Sequence, residues 1–124
     1  MDFRLESAIE AWLAEQNLVN DVDIISIAGA AKDLNDGSMG KAVEGQLALS
    51  KKLHDIGTIV LMNHTDCGGY GGRDAFESRE AEWGHHVAEL AKAAATLSET
   101  YPGVTIKQVI ADIDGEAVQI KEVA

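Results

Sequence analysis

Two periodicities divide the hydrophobic positions of this chain. Leu5, Ala8, Ile9, Trp12 and Leu13 recur at i, i+3, i+4, i+7 and i+8, with Glu6, Glu10 and Glu15 opposite, which predicts an amphipathic helix over residues 4–17. After a polar stretch, Ile24-Ile25-Ser26-Ile27-Ala28 forms a β-branched run ending at Gly29, the pattern of a buried strand. Residues 32–40, rich in Asp, Asn, Gly and Ser, read as a loop. Val43, Leu47, Leu49, Leu53 and Ile56 mark a second helix that stops at Gly57, a residue suited to the left-handed position beyond a helix end. Thr58-Ile59-Val60-Leu61-Met62 is a continuous apolar strand running straight into a glycine-rich segment, residues 63–72. Trp83, Val87, Leu90, Ala94 and Leu97 form the stripe of a long helix that ends before Pro102-Gly103. Residues 104–113 and 117–123 then alternate as two strands about Asp114-Gly115, a hairpin turn.

Helices alternating with apolar strands predict an α/β fold. The expected architecture is a mostly parallel sheet with helices on both faces and an antiparallel strand at the C-terminal end. At 124 residues the chain suits one domain, residues 1–124, with a single core. No repeat or linker interrupts it.

Charge narrows the range of partners. Ten Lys and Arg against 21 Asp and Glu give a net charge of -11, which disfavours nucleic acid and anionic membrane surfaces, since both reward clustered cations. The opening Met1-Asp2-Phe3-Arg4-Leu5-Glu6 lacks the basic start and apolar run of a secretory signal. No apolar stretch approaches the roughly 20 residues needed to span a bilayer, so a cytoplasmic location is expected. The single cysteine, Cys67, has no internal partner for a disulfide and is a free thiol, a metal ligand or a nucleophile.

Chemistry concentrates where the strand at residues 58–62 ends, because open parallel sheets bind ligands at the carboxyl ends of their strands. His64 and Cys67, three residues apart across a turn, can face one metal ion, and imidazole with thiolate suits zinc. The glycines after Cys67 let backbone N–H groups approach a small anion. A glycine turn with an incidental cysteine accounts for the same residues without chemistry.

The segment His64-Thr65-Asp66-Cys67-Gly68 resembles the second zinc motif, His-x-x-Cys-Gly, of the β-class carbonic anhydrases. Met1-Asp2-Phe3-Arg4 matches the last four positions of that family's first motif, Cys-x-Asp-x-Arg, and likewise precedes a helix. The strand ending Ala28-Gly29 and the helix at about residues 42–56 resemble the family in order and spacing. The resemblance implies a Zn2+ enzyme that reversibly hydrates carbon dioxide to bicarbonate, generally as a homodimer or larger homo-oligomer. It makes His64 and Cys67 zinc ligands and Asp2 with Arg4 the catalytic dyad. Asp2 would accept a hydrogen bond from the zinc-bound water, or ligate zinc itself if Arg4 released it, and Gly68 and Gly69 would lie beside bicarbonate.

The sequence also departs from the family. The family's first cysteine ligand would stand immediately before Met1, and the strand leading to it would lie between residues 23–28 and 58–62. Three arrangements accommodate this: an upstream start that supplies the strand, direct pairing of the two flanking strands, or a strand from a neighbouring chain. Other side chains could substitute as ligands. His85 and His86 diverge on one helix, and His86 reads as a helix-face or interface histidine. His54 suits the negative end of its helix, and Asp66 ranks below Asp2 as a third ligand. Two alternatives therefore stand beside the enzyme reading: a non-catalytic relative with an incomplete metal site that acts by binding or self-association, and a thiol hydrolase with Cys67 as nucleophile and His64 as base.

Overall fold

The computed structural model describes residues 1–123. A 3-10 turn at Phe3–Leu5 leads into α1 (Glu6–Glu15), followed by α2 (Ala31–Asp36), α3 (Gly40–His54), β1 (Thr58–His64), α4 (Arg79–Thr100), β2 (Thr105–Asp114) and β3 (Ala117–Glu122). The sheet has three strands in the order β1-β2-β3, with β1 parallel to β2 and β2 antiparallel to β3. The fold is α/β as the alternation implies, though the sheet is evenly mixed rather than mostly parallel.

Amphipathic stripes set the layers. Leu90, Ala93, Ala94 and Leu97 of α4 pack with Val43 and Leu47 of α3, Ala31 of α2, Ile59 and Leu61 of β1, and Ile110 of β2 on one side of the sheet. Burying a side chain such as Leu90 or Ile110 completely contributes about 1.5–3 kcal/mol. On the other side, Leu5 packs with Ala111 and Ile113 of β2, and Ile9 of α1 joins them. The stripe of α1 is only half-buried, because β2 and β3 offer a small surface to cover it. The long helix α4 starts where Ser78 accepts the N–H of Ala81 at 3.0 Å, with Glu80 and Glu82 in its first turn. Such a cap is worth about 1 kcal/mol.

Three local expectations are corrected. Residues 32–40 are not all loop, since Ala31–Asp36 forms α2. The second helix ends at His54, and the left-handed position falls on Asp55 (φ 47°) rather than Gly57. Residues 24–28 form no strand: 24–27 have no regular secondary structure, Ala28 opens a turn, and Ile24 is 69% exposed.

That segment nonetheless runs beside β1 in the same direction. At its start Asp23 accepts hydrogen bonds from Ser50 and His54 on the last turns of α3, just before β1 begins. At its far end Ala31 N–H donates to Asn63 Oδ1 on β1, and Gly29 lies against Gly69. Between these anchors, its backbone (residues 22–27) makes one hydrogen bond among the described residues, from the Met1 ammonium to the Ile27 carbonyl. The facing edge of β1 is equally bare. Gly57 and Thr65 bond to β2, so by parallel alternation Thr58, Val60, Met62 and His64 point their N–H and C=O groups away from it, where no strand pairs. The two flanking segments have not closed on each other.

Candidate active site

β1 carries His64 to the carboxyl end of the parallel pair, where Thr65 anchors the following turn to β2. Its N–H donates to the Ala111 carbonyl at 3.0 Å, and its Oγ1 accepts the Ile113 N–H at 2.8 Å. Asp66 then adopts φ 54°, a left-handed conformation rare outside glycine, and this reverses the chain so that Cys67 comes back beside His64. Cys67 O accepts the N–H groups of Tyr70 and Gly72, closing the turn.

The His64 ring is oriented by a backbone carbonyl. Nδ1 lies 2.8 Å from Thr65 O, so this nitrogen carries the proton, and Nε2 is buried without a hydrogen-bond partner. Such a ring presents its free lone pair as a ligand or acceptor. Cys67 is 4% exposed. Burial alone would raise its thiol pKa, but the neighbouring His64 and the backbone N–H groups of Gly69 and Gly29 outweigh burial and lower it. Burial likewise works to lower the His64 pKa, yet Cys67, the Thr65 carbonyl and Asp2 leave it raised. Both shifts have their origin in the contact between the two side chains.

Close packing requires glycine at residue 69 of this turn. A Cβ on Gly69 would lie 2.9 Å from Gly29 N, closer than atoms approach. Gly69 N–H is aimed at Cys67, while its carbonyl accepts Lys32 Nζ at 2.7 Å. Gly68 is exposed.

Asp2 and Arg4 meet this turn from the N-terminal side. Arg4 Nε and an η nitrogen donate to the two Asp2 oxygens at 3.0 and 2.7 Å, and the other η nitrogen donates to Asp66 Oδ2 at 2.8 Å. The bidentate pair holds the Asp2 carboxyl well below the usual range, and Asp66 is lowered by Arg4 and by the Arg73 N–H. Asp2 Oδ2 lies 3.9 Å from His64 Nε2. All the residues singled out around the turn therefore converge, with Asp66 directed to Arg4 and Arg73 rather than toward His64.

Zinc fits this donor set in part. His64 Nε2 and Cys67 are two suitable ligands with the ring already oriented, but the third oxygen donor, Asp2, is committed to Arg4. Among the described residues no group of three or more His, Cys, Asp or Glu side chains is arranged to hold a metal.

The other histidines lie elsewhere. His54 Nδ1 meets Asp23 at 2.6 Å rather than only the helix end. His86 is fully buried, against Asn63 (3.3 Å) and edge-on to Tyr70, and burial pulls its pKa down to about 4. His85 is exposed, with its ring 6.2 Å from that of His86.

Several residues of the site escaped the sequence reading. Arg73 donates to the Ile113 carbonyl at 2.6 Å and to Glu82, and Glu82 accepts the Asp66 N–H. Asn63 donates to Tyr70 Oη, whose pKa burial pushes up to about 12. The available signal was Glu82 with His86 at i+4, two polar residues beside an apolar helical stripe.

Residues 1–123 match the family described as "Putative carbonic anhydrase". The chain belongs to this family. A Rickettsia conorii relative, "Uncharacterized protein RC0076", is 30% identical over 99% of this chain and 69% of its own length. An uncharacterized protein of Rickettsia bellii is 27% identical over 98% of this chain and 78% of its own length. No solved structure matches the chain. Membership of a carbonic anhydrase-related family implies a small-molecule substrate. No described helix is long and apolar enough to cross a membrane.

Proposed function

We propose that this chain carries a β-carbonic-anhydrase-type site, with His64 and Cys67 as zinc ligands, that reversibly hydrates carbon dioxide. The observation that carries the reading is the His64 ring: Nδ1 is fixed by Thr65 O while Nε2, buried and unpartnered, faces the Cys67 side of the turn. When bound, zinc supplies a Lewis acid that makes water acidic enough to give hydroxide near neutrality. The chain's own residues do the rest. His64 and two backbone N–H groups lower the Cys67 thiol pKa, which eases the loss of its proton to a metal. Arg4 keeps Asp2 ionised and aimed at the site, where its carboxylate accepts a hydrogen bond from the reacting water and orients it.

A second reading is favoured by a specific observation: Asp2, the third donor, is bound on both oxygens by Arg4. On that reading the protein is a non-catalytic relative with an incomplete metal site. One experiment separates them. Protein purified without chelator is assayed for zinc and for carbon dioxide hydration by stopped flow. About one zinc per chain with hydration supports the enzyme, whereas neither zinc nor hydration leaves the non-catalytic reading standing.

A further inference from the structure

Glu82 sits in the first turn of α4, is 1% exposed, and has no part in the chemistry described above. Both of its carboxylate oxygens are engaged. Oε1 accepts the backbone N–H of Asp66 at 2.5 Å, and Oε2 accepts the Nε–H of Arg73 at 3.3 Å. The first of these bonds falls on the residue whose left-handed backbone brings Cys67 back to His64. Asp66 is also the inner support of Arg4, accepting from it through a carboxylate oxygen at 2.8 Å and through its carbonyl at 3.1 Å. Arg4 in turn grips both oxygens of Asp2. A continuous series of contacts thus runs from α4 to the dyad: Glu82, Asp66, Arg4, Asp2.

The chemistry of the two donors requires an acid at this position. Asp66 N–H and Arg73 Nε–H both give protons, so the residue between them must accept twice. A carboxylate does so, whereas the amide of glutamine accepts at one atom and presents N–H to the other donor. In a site this buried, that leaves a donor facing a donor.

We propose that Glu82 is the positioning residue of the site: from α4 it locks the left-handed turn at Asp66 and thereby sets where Arg4 holds the Asp2 carboxylate. Its relevance to catalysis rests on the reading of Asp2 and Arg4 as the dyad, but the positioning itself does not depend on metal.

The test uses the whole chain and reads the Arg4 side chain directly. In the wild type the Arg4 Nε–H, bonded to Asp2 at 3.0 Å, is expected to be protected from solvent exchange relative to a free arginine side chain, as NMR measures. Glu82→Gln is expected to speed that exchange by about tenfold or more, the consequence of one unmade buried hydrogen bond. Ala93→Gly loosens the same helix away from the turn; it is expected to lower the urea midpoint and leave Arg4 exchange unchanged. Unchanged exchange in Glu82→Gln, or equal acceleration in both variants, overturns the proposal. If Glu82→Gln does not fold, the double variant Glu82→Gln with Arg73→Gln removes the second charged donor and supplies an acceptor in its place. Restored folding with protected Arg4 exchange supports the proposal, and failure to restore either overturns it. Zinc titration of the wild type judges the metal reading separately: no uptake of zinc, with Arg4 exchange still following Glu82, overturns that reading alone.

Discussion

His64 donates its Nδ1 proton to the carbonyl of the very next residue, Thr65, at 2.8 Å. A ring fixed by its own backbone needs no other side chain to choose its tautomer, so Nε2 is committed as the outward lone pair. Cys67→Ser and His64→Gln each remove one of the two proposed ligands. Each is expected to weaken zinc binding by at least about 100-fold, measured by competition with a chromophoric chelator, while the thermal transition stays cooperative. Zinc affinity equal to wild type in either variant would remove that residue from the metal site.

On the proposed metal site, Arg4 would decide whether Asp2 accepts from water or ligates zinc. Arg4→Gln frees both carboxylate oxygens, so zinc affinity is expected to rise, by about tenfold, while any carbon dioxide hydration falls. The two readouts move in opposite directions only if Asp2 and the metal share a site. A parallel fall in both would mean that Arg4 merely supports the fold.

Burial keeps His86 neutral, with its pKa pulled down to about 4. In the unfolded chain it titrates near 6.5, so between about pH 6.5 and pH 4 the unfolded state binds the extra proton and stability falls on acidification. The full loss is on the order of 3 kcal/mol. His64, with its raised pKa, contributes in the opposite sense and at higher pH: its stabilisation is complete below about 6.5 and is lost as pH rises through its folded value. Urea midpoints taken across the acidic window should fall in the wild type and flatten in His86→Leu. A slope that survives the substitution would assign it to other groups.

Gly69 packs its bare Cα against Gly29, where a methyl group would sit 2.9 Å from the Gly29 nitrogen. Gly69→Ala is expected to destabilise by about 1–3 kcal/mol, as overpacking does, and to accelerate Cys67 alkylation, because the N–H groups that hold the sulfur would separate. Thermal melting and iodoacetamide kinetics measure the two effects. A neutral melt would show that the loop yields without cost.

The sequence carried these features unequally. The α4 stripe and the β1–β2 strands were legible because burial imposes a period on long elements. His64, Cys67, Asp2 and Arg4 were legible through short motifs. The α2 helix was hidden by Asp, Asn and Lys, whose exposed faces read as a loop. Residues 24–28 misled for the opposite reason: their β-branched run has the composition of a strand, but composition cannot supply a hydrogen-bonding neighbour. Arg73 and Glu82 left only a faint mark, the Glu82–His86 pair at i+4, because each bonds the backbone of a distant segment, the Ile113 carbonyl and the Asp66 N–H.

The bare edge of β1, facing the segment that includes exposed Ile24, has a colloidal consequence. Such an edge is a template on which one molecule can lay a strand of another. The net charge of -11 opposes such pairing, and that repulsion is screened beyond about 10 Å in 0.1 M salt. Added salt should therefore drive self-association, read by light scattering, with protection of the Val60 and Met62 amides appearing in the same range. Ile24→Glu, which removes an exposed apolar side chain and adds to that charge at the end of the sheet away from His64 and Cys67, is expected to raise the salt needed for association.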